Sequence, residues 1–422
     1  MKNIRNLHSG FTLIEVCIVL VFVGIVGAVG YLSYNRITSN SSDKTTNITV
    51  PVDNLVTAHN QFGFNVLRQV KDDNRNALIS PTSIFLALSM TYNGAQNETY
   101  ASMQKTLGLQ KYDLDKLNNE SKSLDSSLEK PDEKVELSIA NSLWLKDGIT
   151  FNKETLKTIE SNYNSEVKTL DFTASSAPNT INKWVSDNTN GKIPTVVNKI
   201  PADMRMYLIN AIYFNGSWTK EFNKNSNYDD TFTTARNGDQ KVTYMSKSED
   251  GIDYLKNSEF EAVRLPYGKN ERLAMYFVLP SKIDSFVDTV STEKWNGWTK
   301  EFKKKEGTIE APKFKVEYEN TLDKTLQSMG MNIAYSDDAD FSKFSTSTPL
   351  KIGEVKHKTF IDVNESGTEA AAVTSVGMVE TTSVQPENDR FYLKLNRPFF
   401  YAIADTKTGE LIFTGILNNP KN

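Results

Sequence analysis

The chain has 422 residues, enough to bury one large core or a few smaller ones, and its 38% hydrophobic and 24% charged residues are the balance of an ordinary globular protein. Its 48 Lys and Arg nearly match its 52 Asp and Glu, for a net charge of −4, which removes the electrostatic case for nucleic acid as a partner. The single cysteine, Cys17, excludes a disulfide framework within the chain.

Residues 1–10 are short and basic, with Lys2 and Arg5, and Phe11 to Tyr34 is apolar almost throughout. As a helix that run reaches about 36 Å at roughly 1.5 Å per residue, enough for a hydrocarbon core of about 30 Å. Lys2 and Arg5 put its start in the cytoplasm and the rest of the chain outside. Glu15 is the one acid in the run, and a carboxylate in a membrane helix invites a reason. Gly10-Phe11-Thr12-Leu13-Ile14-Glu15 resembles the class III leader of type IV prepilins and pseudopilins. The resemblance implies a prepilin peptidase that cuts after Gly10 and N-methylates Phe11, with Glu15 left five residues in. No long amphipathic helix continues the run, so the expectation is a single-pass anchor in the cytoplasmic membrane (leader 1–10, transmembrane helix 11–37) rather than a pilus subunit. Ala28-Val29-Gly30 offers an alternative cleavage site, whose use would secrete the protein, and an uncut anchor is the third alternative. Residues 38–53, rich in Ser, Thr and Asn, read as a flexible linker.

From residue 54 to 422 no internal repeat or second linker interrupts the pattern. Leu55, Val56, Phe62, Val66, Leu67 and Val70 fit one face of an amphipathic helix, with His59 on a polar part of it. Ser80-Pro81 predicts another start, since Ser caps well and Pro is favoured at the first helical position. That helix runs through Ile84, Leu88 and Met90 toward Gly94. Met206–Asn215 and Leu273–Leu279 predict buried strands, and Phe399–Ile403 with Leu411–Ile416 a hairpin about Thr408-Gly409. The class is α+β, with large, mainly antiparallel sheets.

Enzymatic motifs are missing. The chain has three histidines, His8, His59 and His357, and no Gly-x-Ser-x-Gly elbow. Zinc-ligand spacing, a phosphate-binding glycine loop and a dinucleotide fingerprint are also absent, so neither metal nor cofactor is expected. A carboxylate pair for glycoside hydrolysis is not excluded by spacing alone.

Residues 364–376 read Asn-Glu-Ser-Gly-Thr-Glu-Ala-Ala-Ala-Val-Thr-Ser-Val, a small-residue stretch without proline. It is similar to the hinge of the serpins. Other serpin stretches follow in the family's order: Ser80-Pro81-Thr82-Ser83-Ile84, Asn93-Gly94-Ala95, Ile181-Asn182-Lys183-Trp184-Val185 with Thr189-Asn190-Gly191-Lys192-Ile193, Asn210 to Trp218, Asn396-Arg397-Pro398-Phe399 and Phe413-Thr414-Gly415-Ile416. The resemblance implies the serpin fold, with about eight or nine helices and an exposed reactive-centre loop. It implies a monomeric inhibitor, not an enzyme, that traps a serine or cysteine protease; the alternative is a non-inhibitory serpin or a serpin-headed pseudopilin with a binding or structural role. The hinge is carried over onto Glu365, Gly367, Thr368, Glu369, Ala370, Ala371, Ala372 and Thr374. Ser80, Ser83, Asn210 and His357 match the shutter beneath the opening sheet, and Trp218 the breach at its top.

In that family the cleaved loop inserts as a new strand of the main sheet. Strand alternation would put Thr368, Ala370, Ala372 and Thr374 on one face, all small and uncharged, with Val376 and Met378 following. Glu369 and Ser375 would fall on the other, wetter face. Proline first appears at Pro386, so no residue from Gly367 to Val384 lacks its ladder donor. The family places the scissile bond about seventeen residues in, which counts from Glu365 to Thr381-Thr382. A hinge shorter by one makes Glu380 the residue before the cut. Thr at this position suits elastase-like or subtilisin-like enzymes. Arg390 lies too far along to drive full insertion in the usual register.

Overall fold

The computed structural model describes residues 55–129, 131–369 and 390–421. Gly10, Phe11, Glu15, the apolar run to Tyr34 and the linker at 38–53 lie outside those residues. Among the described residues no helix is long and apolar enough to cross a membrane.

Capping sets where the helices begin. α1 spans Leu55–Val70, and after the short strand β1 (Ala77–Ile79) comes α2, Pro81–Tyr92. Ser80 caps α2 as its composition predicts, its side chain accepting from the Ser83 amide, and Pro81 opens the helix. α2 is buried on every residue, which suits a helix apolar on nearly all sides. α3 (Asn97–Leu107) ends on Gly108 in the left-handed conformation. α4 (Leu114–Leu128) starts on Asp113.

The strand β2 (Val135–Lys146), α5 (Lys153–Tyr163), β3 (Glu166–Leu170) and α6 (Ala177–Asn188) follow. Next are β4 (Met206–Ser217), β5 (Tyr228–Thr233), the long β6 (Asp239–Lys256), β7 (Phe260–Pro266) and β8 (Leu273–Pro280). The short helices α7 (Ile283–Thr289) and α8 (Thr292–Trp298) precede β9 (Lys303–Pro312) and β10 (Phe314–Thr321). α9 (Asp323–Leu326), β11 (Val355–Asn364), β12 (Gly367–Thr368), β13 (Phe391–Lys394), β14 (Phe399–Asp405) and β15 (Leu411–Leu417) complete the fold.

These strands form two mixed sheets. The nine-stranded one runs β1-β15-β14-β8-β7-β6-β9-β13 with β5 beside β6, and the six-stranded one runs β10-β11-β12-β4-β2-β3. Pairing is mainly antiparallel. The expected buried strands are β4 and β8, and the expected hairpin is β14–β15, paired Phe399↔Leu417 to Ala404↔Leu411. One apolar core joins α1 and α2 to the nine-stranded sheet and to one face of the six-stranded sheet. A second, smaller core lies under α6: Ile181 and Trp184 meet Ala140 and Trp144 of β2 and Tyr207, Ile209 and Ala211 of β4.

One local expectation fails here. His59 is fully buried rather than on a polar face, its Nδ1 2.8 Å from Glu410 Oε1, and Thr82 Oγ1 donates to the same oxygen at 2.5 Å. The partner that lets a polar ring enter the core comes from 351 residues away.

Candidate functional site

The six-stranded sheet is closed at one end and parted at the other. At the closed end β4 and β11 pair in parallel, Val355↔Leu208 through Lys358↔Ala211. Beyond that, residues 212–215 keep their ladder to β2 and residues 359–362 theirs to β10, but the two do not pair with each other. At the far end β12 fills the gap. Gly367 and Thr368 pair with Ser217 and Gly216 on one side, and with Asn364 and Val363 on the other.

Glycine is required at the point of insertion: a Cβ on Gly367 would lie 2.0 Å from the Gly216 carbonyl oxygen. Thr368 is fully buried, its Oγ1 2.6 Å from Tyr267 Oη. Tyr267 stacks on Trp218 with ring centroids 4.5 Å apart, and Trp218 Nε1 donates to the Asn364 carbonyl at 2.9 Å. Trp218 is thus a packed aromatic that holds the corner of β11 just before β12. Glu365 lies in that corner and accepts from Lys313 Nζ at 2.9 Å and from Asn227. Burial pushes its carboxyl up, but the hydrogen bonds from Lys313 and Asn227 outweigh burial and hold it below the usual range.

Glu369 follows the end of β12. Its φ is +60°, its amide donates to the Asp362 carbonyl at 2.6 Å, and its side chain is 6% exposed beneath Lys192, whose Nζ is 2.5 Å from Oε1. The wetter face expected for it belongs to the strand formed on insertion, whereas in the uncut chain the left-handed turn takes Glu369 out of the strand. Burial raises the carboxyl despite the ammonium. Thr368 likewise does not wait for the loop to be cut, because its side chain already occupies the sheet. Ala370, Ala371, Ala372, Thr374, Glu380, Thr381 and Thr382 lie outside the described residues.

At the closed end, the Ser80 amide donates to His357 Nε2 at 3.1 Å. Asn210 Nδ2 donates to the Ser83 carbonyl at 3.0 Å, to Asn141 Oδ1 at 2.6 Å and to the Ser83 hydroxyl. His357 and Asn210 are paired across β11 and β4, so these groups sit on the last closed rungs before the gap. Burial lowers the His357 imidazole to about 3, which keeps the ring neutral at physiological pH. A neutral, hydrogen-bonded set at the end of an open seam can be re-paired strand by strand without moving a charge.

α6 packs on β2 and β4, and across the seam Lys192 meets Glu369 and lies 5.5 Å from the Phe360 ring centroid, while Lys358 Nζ donates to the Thr195 carbonyl at 3.0 Å. Sequence reasoning placed Ser80, Ser83, Asn210, His357 and Trp218 near the sheet but missed Tyr267, Lys313, Asn227, Asn141 and Lys192. Lys192 lay in a quoted stretch, and its reach to the hinge depends on the turn at Asn190 and Gly191, both at positive φ. Among the described residues no group of His, Cys, Asp and Glu is placed to hold a metal.

Residues 57–420 match the serpin family, described as serine protease inhibitors. The chain is 32% identical over 430 residues to an uncharacterized serpin-like protein of Thermococcus kodakarensis, covering 97% of this chain and 99% of that one. It is 32% identical over 386 residues to the leukocyte elastase inhibitor of Xenopus laevis, covering 87% of this chain and all of that one. Its structure is similar to that of the thermophilic serpin tengpin in the native state, with a TM-score of 0.80 and 37% identity over 87% of this chain and 94% of that chain.

Proposed function

The chain belongs to the serpin family, and from that premise we propose that it inhibits extracytoplasmic serine proteases by being cut in the loop between Glu369 and Arg390 and inserting that loop between β4 and β11. The observation that carries this reading is the parted seam with Gly367-Thr368 already paired inside it, next to a run of small residues without proline. The attacking serine would form an acyl bond to the residue before the cut. Insertion would then carry the enzyme away before water completes hydrolysis. Each inserted residue gains backbone hydrogen bonds on both sides, and the small side chains of Ala370, Ala372 and Thr374 let the core close over them. The bait bond is Thr381-Thr382, with Glu380-Thr381 as the neighbouring register, and the targets are elastase-like or subtilisin-like enzymes with small apolar pockets.

Phe11 to Tyr34, behind Lys2 and Arg5, would hold this domain on the outer face of the cytoplasmic membrane after a prepilin peptidase cuts between Gly10 and Phe11. N-terminal sequencing of the mature protein tests this: N-methyl-Phe11 supports the anchor, and Tyr31 on a protein found in the medium overturns it.

The inhibitory reading is tested by incubation with pancreatic elastase and subtilisin. The expected result is a detergent-stable covalent complex and a released peptide beginning at Thr382. Complete cleavage without any complex would overturn it.

A further inference from the structure

α4 and α5 end at the same cavity, and neither brings a basic residue to its last turn. A helix C-terminus carries about half a negative charge on its orphan carbonyls and favours a cation there. α4 does the opposite: Asp125 sits in its final turn and Glu129 follows it. The cavity, of about 150 Å³, is lined by these two acids, by Asn164 at the end of α5, and by Leu128, Leu137, Ser138 and Ile139. Leu137 and Ile139 belong to a part of β2 that pairs with β4 on one side, while β3 takes up only Ser142–Lys146 on the other.

Asp125 is 8% exposed, yet among the described residues, which leave out the neighbouring Lys130, its carboxylate has no hydrogen bond and no counter-charge. Burial first, then the like charge of Glu129, pushes it up to about 7. Arg272 reaches the end of the helix, but it donates to the Ser127 carbonyl and is committed to Asp405 at 2.7 Å. A buried acid without a partner among the described residues, at the wrong end of a helix, breaks two local rules at one place, and such conflicts mark sites of function.

We propose that this cavity binds a small organic cation, an ammonium or guanidinium head on an aliphatic stem. The head would sit between Asp125 and Glu129 against the helix ends, and the stem would lie on Leu128, Leu137 and Ile139. A metal ion fits less well, because the three aliphatic side chains offer no ligand and no trio of metal-binding side chains meets here among the described residues.

The test is a calorimetric titration of the full chain with n-butylguanidinium. At pH 8 the expected result is saturable 1:1 binding, at least tenfold weaker in Asp125→Asn and about threefold weaker in Glu129→Gln. Wild type at pH 5.5 should also bind at least tenfold more weakly, because Asp125 is then protonated. That arm decides the matter even if a variant folds poorly. Absence of saturable binding, equal binding by wild type and Asp125→Asn, equal binding of n-butanol, or displacement of the guanidinium by calcium would each overturn the proposal.

Discussion

Lys192 and Glu369 form an ion pair across the seam of the six-stranded sheet, Nζ to Oε1 2.5 Å, tying the body that carries α6 to the residue just after β12. The pair lies next to the two residues of β12, Gly367 and Thr368. Removing the cation leaves a nearly buried carboxylate uncompensated, which is more disruptive than removing both charges. Lys192→Met should therefore speed amide exchange at residues 365–369 by tenfold or more, and adding Glu369→Gln should restore most of the protection. Because the folded carboxyl of Glu369 is raised, its favourable contribution is complete below the unfolded value and fades as pH rises through the folded one. Glu369→Gln alone should thus help stability at pH 8 and make no difference at pH 4, which thermal melts at both pH values would settle.

Thr368→Arg asks the core to take a charge where a hydroxyl now meets Tyr267. The cost is several kcal/mol, of order 3–5. The variant should be cut by the target at the same bond but yield no covalent complex on a denaturing gel. Thr368→Val, which strands only the Tyr267 hydroxyl at about 1–3 kcal/mol, should still trap. Trapping by Thr368→Arg at the wild-type level would refute insertion as the mechanism.

Thr381→Arg should redirect inhibition toward trypsin-like enzymes by tenfold or more in association rate, since the protease reads the side chain before the cut. If Glu380→Arg produces that switch instead, the bond lies one residue earlier.

Glu365→Lys would set two cations side by side where Lys313 now reaches a carboxylate at 2.9 Å. The top of the sheet should lose about 2–4 kcal/mol, seen as a lower midpoint in denaturant. Acid should weaken the native tie: the folded carboxyl is lowered, so its contribution is present above the unfolded value and is lost as pH falls through the folded one. A Glu365→Lys midpoint equal to wild type would show that the contact contributes nothing.

His59→Ala should destabilise the domain by about 1–3 kcal/mol, because it takes from the fully buried Glu410 one of its two hydrogen-bond partners, leaving Thr82. The double variant with Glu410→Leu should recover part of that loss, as measured by a double-mutant cycle. Equal losses in the single and double variants would mean that packing, not the polar pair, is what His59 contributes.

Much of the fold was legible in the chain itself. The Ser80-Pro81 start of α2, the strands β4 and β8 and the β14–β15 hairpin all follow from caps, periodicity and turn residues, which act over a few neighbours. The small side chains and lack of proline that make the run from Gly367 to Val384 an expected insert are properties of composition, and within the described residues only Gly367 and Thr368 of it lie in a strand. Pairing across the fold was not legible. His59 finds Glu410 at a distance of 351 residues, Thr368 finds Tyr267 at 101 and Glu365 finds Lys313 at 52, and no local period encodes any of these. Glu369 shows the same limit in one residue: alternation describes it only in an inserted strand, and its place under Lys192 in the uncut chain depends on the left-handed backbone after β12.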